Sequence, residues 1–154
     1  IGVFDQKWNR PMAEVLGTLG SEHVWVVTGS DGLDEITITG DTHVAEFKDG
    51  AVNEFTISPE DAGLERANMA DIQGGDAEYN AAAIISLLSG EKNAYRDIVL
   101  LNTAAALLVA GKASDLKDGV TQAAKAIDSG NAKAKLDAWI ELSNEEVPVI
   151  EEDE

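Results

Sequence analysis

The sequence predicts an α/β protein with a partial, mostly parallel sheet and an antiparallel flap, flanked by helices. A continuous apolar run from Val24 to Val27 is typical of a strand buried on both faces of a parallel sheet. Alternating segments follow over residues 36–57, and apolar stripes at helical spacing fill the chain after Ser58. The chain has 154 residues, of which 44% are hydrophobic and 26% charged, so we expect a globular protein with about one domain.

The first part of the chain predicts two strands joined by a helix. Residues 1–4 form an apolar segment that predicts a strand. Pro11 suits the first turn of a helix, an apolar stripe follows it, and Gly20 ends it. A second strand is predicted over residues 23–28. The order strand, helix, strand indicates a βαβ unit with parallel strands.

An antiparallel flap is predicted next. Its three strands are expected at residues 36–39, 42–47 and 52–57. Asp49-Gly50 separates the last two, and Asp-Gly between alternating segments is a strong signal for a two-residue hairpin turn.

The remainder of the chain predicts helices. Ser58 and Pro59 indicate the cap and first turn of a short helix. Longer helices are predicted over residues 76–88, 93–110, 116–127 and 131–140, the last with Asn131 as its cap. The helix over 93–110 is apolar nearly all round, which predicts a central, buried helix. We expect these helices to cover the faces of the sheet and to pack on each other.

Composition excludes several classes of function. The chain has no cysteine, which excludes disulfides, thiolate metal sites, iron–sulfur clusters and a cysteine nucleophile. Its formal charge of −18 provides no basic surface for nucleic acid or for an anionic membrane. No apolar stretch is long enough to cross a bilayer, and no targeting segment is visible, so we expect a cytoplasmic protein. The chain opens directly in a predicted strand without an initiator Met, which indicates a missing upstream part.

The acidic residues are concentrated at the end of the chain. Residues 145–154 contain six acidic residues and no basic ones, so residues 1–144 hold 23 acidic and 11 basic residues, a net charge of −12. The segment also has Pro148 and no periodic apolar face. We therefore expect an α/β domain over residues 1–144 and a flexible acidic tail over 145–154. A tail that binds a partner is the alternative.

The segment Thr28–Glu35 is the strongest candidate site. It follows the buried strand, and ligands of open α/β sheets bind at the carboxyl ends of strands. It holds three carboxylates, Asp31, Asp34 and Glu35, among glycines that permit tight turns. Clustered carboxylates suit Mg²⁺, which takes one or two of them together with substrate phosphates. An ordinary polar turn explains the same residues equally well.

Other candidates are weaker. Gly74-Gly75-Asp76 precedes a predicted helix and could form an anion-binding nest, but close packing of the helix start against the sheet is the favoured interpretation. His23 and His43 have no second ligand at helical spacing, so we expect them to be structural or exposed rather than metal ligands.

Ten short segments match the sequence pattern of one enzyme family. They are residues 1–5, 13–16, 19–22, 26–29, 31–35, 59–64, 74–81, 96–102, 123–130 and 134–136. Together they resemble anthranilate phosphoribosyltransferase over residues 1–144. The motifs Asp31–Glu35 and Arg96–Asn102 are specific in combination, although neither is specific alone. The resemblance departs at Thr28, where the family usually has His.

The resemblance implies a function. The family transfers a phosphoribosyl group from phosphoribosyl pyrophosphate to anthranilate in tryptophan biosynthesis, and its members join a small helical domain to a larger α/β domain. The resemblance assigns Asp34 and Glu35 to Mg²⁺ ions on the pyrophosphate, with Glu35 bridging both metals. It assigns no catalytic residue to this chain.

The resemblance also shows what this sequence lacks. The family's Gly-Thr-Gly-Gly-Asp phosphate loop, its Lys-His-Gly-Asn motif and its anthranilate-binding Arg are absent, and all belong to the N-terminal half. We therefore expect a C-terminal half that is inactive without its N-terminal half or a companion chain, and that could self-associate through the surface left exposed. Two alternatives remain: an enzyme like a nucleoside phosphorylase, and a non-catalytic binding module of the same fold.

Overall fold

Three strands, five α-helices and three short 3-10 turns make up the part of the chain that the structure describes. The computed structural model describes residues 1–145, so the predicted acidic tail lies outside the described residues except for Glu145. The strands are β1 (His23–Gly29), β2 (Thr42–Lys48) and β3 (Ala51–Ile57). The helices are α1 (Asn9–Thr18), α2 (Ala77–Leu88), α3 (Ala94–Val109), α4 (Leu116–Asp128) and α5 (Asn131–Ser143). The 3-10 turns are Gln6–Trp8, Pro59–Ala62 and Met69–Asp71.

The sheet has the order β1-β2-β3, and both pairs are antiparallel. The predicted hairpin between β2 and β3 is confirmed. Its turn residues both have positive φ, 51° at Asp49 and 79° at Gly50, as a type I′ turn requires. The short helix predicted after Ser58 is also present, as the 3-10 turn Pro59–Ala62, and the side chain of Asp61 bonds back to the cap.

The prediction of a mostly parallel sheet is not confirmed. Within residues 1–145, parallel pairing is confined to one bridge between Gly2 and Val27, supported by the bonds Val3 N to Val27 O (3.0 Å) and Val27 N to Ile1 O (2.9 Å). The apolar run in β1 predicts that both faces of the strand are buried, as is observed. It does not predict whether the neighbouring strand is parallel or antiparallel. The connection from β1 to β2 contains no helix, and a chain that returns without a helical crossover pairs antiparallel.

The strand predicted over residues 36–39 is wrong, because this segment is irregular. The alternation that suggested a strand is real, since Ile36 and Ile38 are buried. Side chains and the N–H of Ala67 satisfy its backbone instead of a neighbouring strand. The N–H of Thr37 donates to Oγ1 of Thr42 (3.0 Å), and the N–H of Ile36 donates to Oδ1 of Asn102 (3.1 Å).

Helices cover the two faces of the sheet unequally. α1 packs on one face through a small core that contains Ala13, Val24, Val26 and Ala45. α3 covers the other face through Ile98, Leu101, Ala104 and Ala105, which meet Trp25, Val27 and Val44 in the main core.

The other helices form an outer layer rather than covering the sheet. α4 packs chiefly on α3, and α2 and α5 contact α4. α5 buries none of its residues fully and begins directly after Gly130, which has φ of 78°. The predicted cap at Asn131 is therefore wrong: Gly130 precedes the first helical residue and makes no side-chain cap. No helix in the described residues is both long and apolar enough to span a membrane.

Candidate functional site

Asp31 organises the loop that leaves β1. Its Oδ1 accepts a hydrogen bond from the N–H of Leu33 (3.1 Å), and its Oδ2 accepts from the hydroxyls of Thr37 and Thr39 (2.5 Å each). Partial burial opposes ionisation of Asp31, but these hydrogen bonds outweigh it and hold the pKa of the carboxyl below its usual value. Both of its oxygens are therefore engaged within the loop, as the interpretation of an ordinary polar turn predicts for this residue.

Asp34 and Glu35 differ from Asp31. Like Asp31, both are exposed, but neither side chain forms a hydrogen bond or ion pair with any other residue in 1–145. Both line a cleft of about 890 Å³. The rest of its wall comes from Ile1 and Gly2, from residues 21–25 and Val27, and from Ile36. It is completed by one side of α3 from Asn102 to Val109 and by Ala110, which follows α3. The loop thus contains one carboxylate that is bonded to its own residues and two carboxylates at the cleft that are not.

Asn102 fixes the backbone next to the two exposed carboxylates. Its Oδ1 accepts from the N–H of Ile36 (3.1 Å), and its Nδ2 donates to the carbonyls of Ile36 (2.8 Å) and Ile98 (3.0 Å). Asn102 lies in the family motif Arg96–Asn102, but the resemblance assigns it no role. The signal that could have found it is an amide in a largely apolar helix, because a half-buried amide there needs hydrogen-bond partners.

The donor set fits one kind of metal site. No group of three or more His, Asp or Glu side chains among residues 1–145 is placed to hold a metal ion, so a site closed by protein ligands is not present there. Two unengaged carboxylates beside a large cleft suit a hard cation that completes its shell with water and substrate phosphate, as Mg²⁺ commonly does. Asp34 and Glu35 are therefore compatible with an Mg²⁺ ion whose remaining ligands are water or phosphate oxygens.

His23 has a structural partner. Its Nε2 lies 2.8 Å from Oε1 of Glu46, and the same oxygen accepts from Nε1 of Trp25 at 2.8 Å. Burial works against ionisation of Glu46, yet the bonds from Trp25 and His23 lower its pKa overall. The expectation that His23 is structural rather than a ligand agrees with this geometry.

Gly74-Gly75-Asp76 precedes α2, as the sequence indicated. The N–H of Gly75 donates to Oδ1 of Asn80 (2.9 Å), and Nδ2 of Asn80 donates back to the carbonyl of Gly75 (3.0 Å). Asp76 caps the helix by accepting from the N–H of Tyr79 (2.8 Å). Asn80 already occupies the Gly75 donor, which argues against an anion nest. Residues 73–80 are exposed and α2 packs on α4 and α5, so the favoured interpretation, close packing of the helix start against the sheet, is wrong.

A family model described as "Glycosyl transferase family, a/b domain" matches residues 1–133. The chain belongs to this glycosyl transferase family. Among curated relatives, anthranilate phosphoribosyltransferase from Beijerinckia indica is 58% identical over 146 residues, which is 95% of this chain and 43% of the relative. The enzyme of the same name from Rhodospirillum rubrum is 59% identical over 142 residues, 92% of this chain and 41% of the relative.

Solved structures of glycosyl transferase family members show the same fold. Anthranilate phosphoribosyltransferase from Thermus thermophilus superposes with a TM-score of 0.82 at 38% identity, covering 90% of this chain and 41% of that one. The Saccharomyces cerevisiae enzyme in complex with PRPP and Mg gives 0.81 at 28% identity, covering 91% of this chain and 41% of that one. This chain thus spans less than half the length of the relatives it matches.

Proposed function

We propose that this chain is the C-terminal part of an anthranilate phosphoribosyltransferase, a cytoplasmic enzyme of tryptophan biosynthesis that uses phosphoribosyl pyrophosphate and Mg²⁺. The observation that carries the proposal is identity of 58% to relatives of that name over 95% of the chain, together with the two unengaged carboxylates at the cleft. A nucleoside phosphorylase has less support, since the curated relatives described above are named for anthranilate.

In this proposal, Asp34 and Glu35 hold Mg²⁺ at the pyrophosphate. When bound, the metal neutralises the charge that develops on the leaving group as its bond to ribose breaks. The chain's own contribution is to present two carboxylates without competing partners. Asp31 supports them indirectly, because its hydrogen bonds to Leu33, Thr37 and Thr39 hold the loop in one conformation.

We also propose that the chain needs its N-terminal half for activity. Group transfer requires donor and acceptor to be held together in one orientation, which supplies much of the rate. The phosphate loop and the anthranilate-binding Arg implied by the resemblance are absent from this sequence. Ile1 and Phe4, which are 64% and 75% exposed, are an apolar surface for that half to cover. An isolated chain could instead self-associate through it.

The experiment supplies the missing half and tests the two carboxylates. The N-terminal half of a relative is co-expressed with this chain, and product formation from anthranilate, phosphoribosyl pyrophosphate and Mg²⁺ is measured for the chain alone and for the pair. Activity is expected only from the pair. Turnover by the isolated chain at the rate of intact relatives would show that the chain needs no partner.

Asp34→Asn and Glu35→Gln in the pair are expected to lower turnover and to raise the Mg²⁺ concentration needed for half-maximal rate. Glu22→Gln is the matched control, because Glu22 is an exposed carboxylate that lines the same cleft. If all three variants kept normal turnover and Mg²⁺ dependence, Asp34 and Glu35 would belong to an ordinary polar turn.

A further inference from the structure

Two elements contact the backbone of residues 34–36. From α3, Asn102 pairs with both the N–H and the carbonyl of Ile36, as a neighbouring strand would. From the start of the chain, the backbone of Gly2 lies directly against Asp34. A Cβ atom built on Gly2 would overlap the carbonyl oxygen of Asp34, so no larger residue fits there without moving one of the two segments.

Both contacts are made to the main chain, not to the side chain that packs in the core. Ile36 is 3% exposed and already packs in the main core by its side chain. Asn102 fixes the orientation of the peptide that joins Glu35 to Ile36. Gly2 fixes the position of the Asp34 peptide relative to the start of the chain. Asn102, Gly2, Asp34 and Glu35 all line the same cleft.

We propose that Asn102 and Gly2 are positioning residues that together hold the main chain of Asp34 and Glu35 so that both carboxylates can bind one divalent cation. The inference rests on the proposed function of those two carboxylates. Two exposed side chains on an unrestrained loop would have to be ordered when the ion binds, and fixing their backbone beforehand removes part of that entropic cost. Residues that orient metal ligands without touching the ion commonly have this effect.

The test measures binding of Mg²⁺ alone to the 154-residue chain by following the backbone amide resonances of Asp34, Glu35 and Ile36. For Asn102→Ala, the half-saturating Mg²⁺ concentration is expected to rise about tenfold, the lower end of the effect of losing such a supporting residue. Hydrogen exchange of the Ile36 amide gives a second readout, because that N–H loses its acceptor in the variant.

Asn93→Ala is the matched control. Asn93 caps the same helix by accepting from the N–H of Arg96 (2.9 Å), so its loss weakens α3 without touching Ile36. Equal effects of Asn93→Ala and Asn102→Ala on Mg²⁺ binding would reduce Asn102 to a structural residue and overturn the proposal. If Asn102→Ala does not fold, Gly2→Ala decides: it removes no hydrogen bond, and unchanged Mg²⁺ binding in this variant would overturn the proposal.

The double variant Asp34→Asn/Glu35→Gln separates this inference from the function on which it rests. If it leaves the Mg²⁺-induced shifts intact, the carboxylate site itself is wrong, and the positioning role falls with it. If it abolishes the shifts while Asn102→Ala and Gly2→Ala bind Mg²⁺ like the unmodified chain, the site stands and only the positioning role fails.

Discussion

Arg96 and Asp128 tie the start of α3 to the end of α4. Nη2 of Arg96 donates to Oδ1 of Asp128 at 2.7 Å. The Arg96 side chain is only 4% exposed, whereas that of Asp128 is 51% exposed. The second amino group of Arg96, Nη1, is buried without a hydrogen-bond partner among the described residues. Asp128 is thus the carboxylate that compensates a buried guanidinium, which makes its removal more costly than its own exposure suggests.

Asp128→Ala is expected to lower the free energy of unfolding by about 2 kcal/mol, less than the roughly 3–5 kcal/mol typical of breaking a fully buried pair. Stability falls because Asp128→Ala leaves the buried charge of Arg96 without a partner. In an Arg96→Met background no such charge remains, so the same Asp128→Ala change is expected to cost less than about 0.5 kcal/mol. Urea unfolding of the four chains measures both values, and equal losses in the two backgrounds would contradict this account.

Gly119→Ala is expected to destabilise the chain although alanine favours helices. A Cβ atom at Gly119 would lie 2.7 Å from both Cα and Cβ of Ala104, where α3 and α4 touch. The gain of about 1 kcal/mol in helix propensity is offset by overpacking, which typically costs 1–3 kcal/mol. We expect a net loss of roughly 1 kcal/mol, measured by thermal or urea unfolding.

Gly17→Ala provides the comparison for that variant. The new methyl in α1 would meet the ring of Phe47, a partly exposed side chain that can swing away, and not a neighbouring helix backbone. A smaller loss, or a gain, is therefore expected at Gly17. Greater destabilisation at Gly17 than at Gly119 would show that backbone contact between the helices is not the limiting factor.

Asp31→Asn is expected to destabilise the loop after β1 in a pH-dependent way. At pH 7 the loss should be about 1 kcal/mol, because the hydroxyls of Thr37 and Thr39 exchange an ionised acceptor for a neutral one. The folded-state pKa of Asp31 lies below its ordinary value of 3.8. Its contribution is therefore fully present above pH 3.8 and is lost as the pH falls through the lower, folded-state pKa.

The measurement for Asp31 is urea unfolding from pH 7 down to pH 2. The difference in unfolding free energy between the unmodified chain and Asp31→Asn should be constant above about pH 5 and shrink below pH 4. Asp34→Asn is the control at pH 7, since its side chain bonds no other described residue, and should change the free energy by less than about 0.5 kcal/mol. A difference for Asp31→Asn that grows on acidification would contradict the assigned direction of the pKa shift.

Local signals in the sequence predicted most of the elements. The helix over 93–110 became α3, capped by the side chain of Asn93, and the Asp49-Gly50 turn was found where expected. Strand direction could not be predicted in the same way, because apolar runs report burial and not neighbours. The strand predicted over residues 36–39 was wrong for a related reason. The alternation was correct, but side chains far away in the sequence, such as that of Asn102, bond the backbone of this segment.

The candidate site was predictable in composition but not in detail. The sequence placed three carboxylates in Asp31–Glu35. Only the folded loop distinguishes Asp31, which accepts hydrogen bonds within it, from Asp34 and Glu35, whose side chains bond no other residue in 1–145. The contacts of Gly2 and Asn102 join residues 32 and 66 positions away from their partners in the chain, a separation that no local pattern encodes.

The hairpin between β2 and β3 tests whether the turn residues or the packing of the strands set the strand register. Asp49 and Gly50 both occupy the left-handed region, and Asp49 is the one residue other than glycine with positive φ in the described part of the chain. A β-carbon in this region costs about 1–2 kcal/mol, so Gly50→Ala is expected to destabilise by about 1 kcal/mol although nothing lies within 4 Å of the new methyl. Asp49→Asn keeps a residue that tolerates positive φ and should leave stability nearly unchanged. Urea unfolding compares the two variants. Equal stability of Gly50→Ala and the unmodified chain would mean that the turn can adopt another geometry, so that the register Val44 to Phe55 is set by the strands and not by the turn.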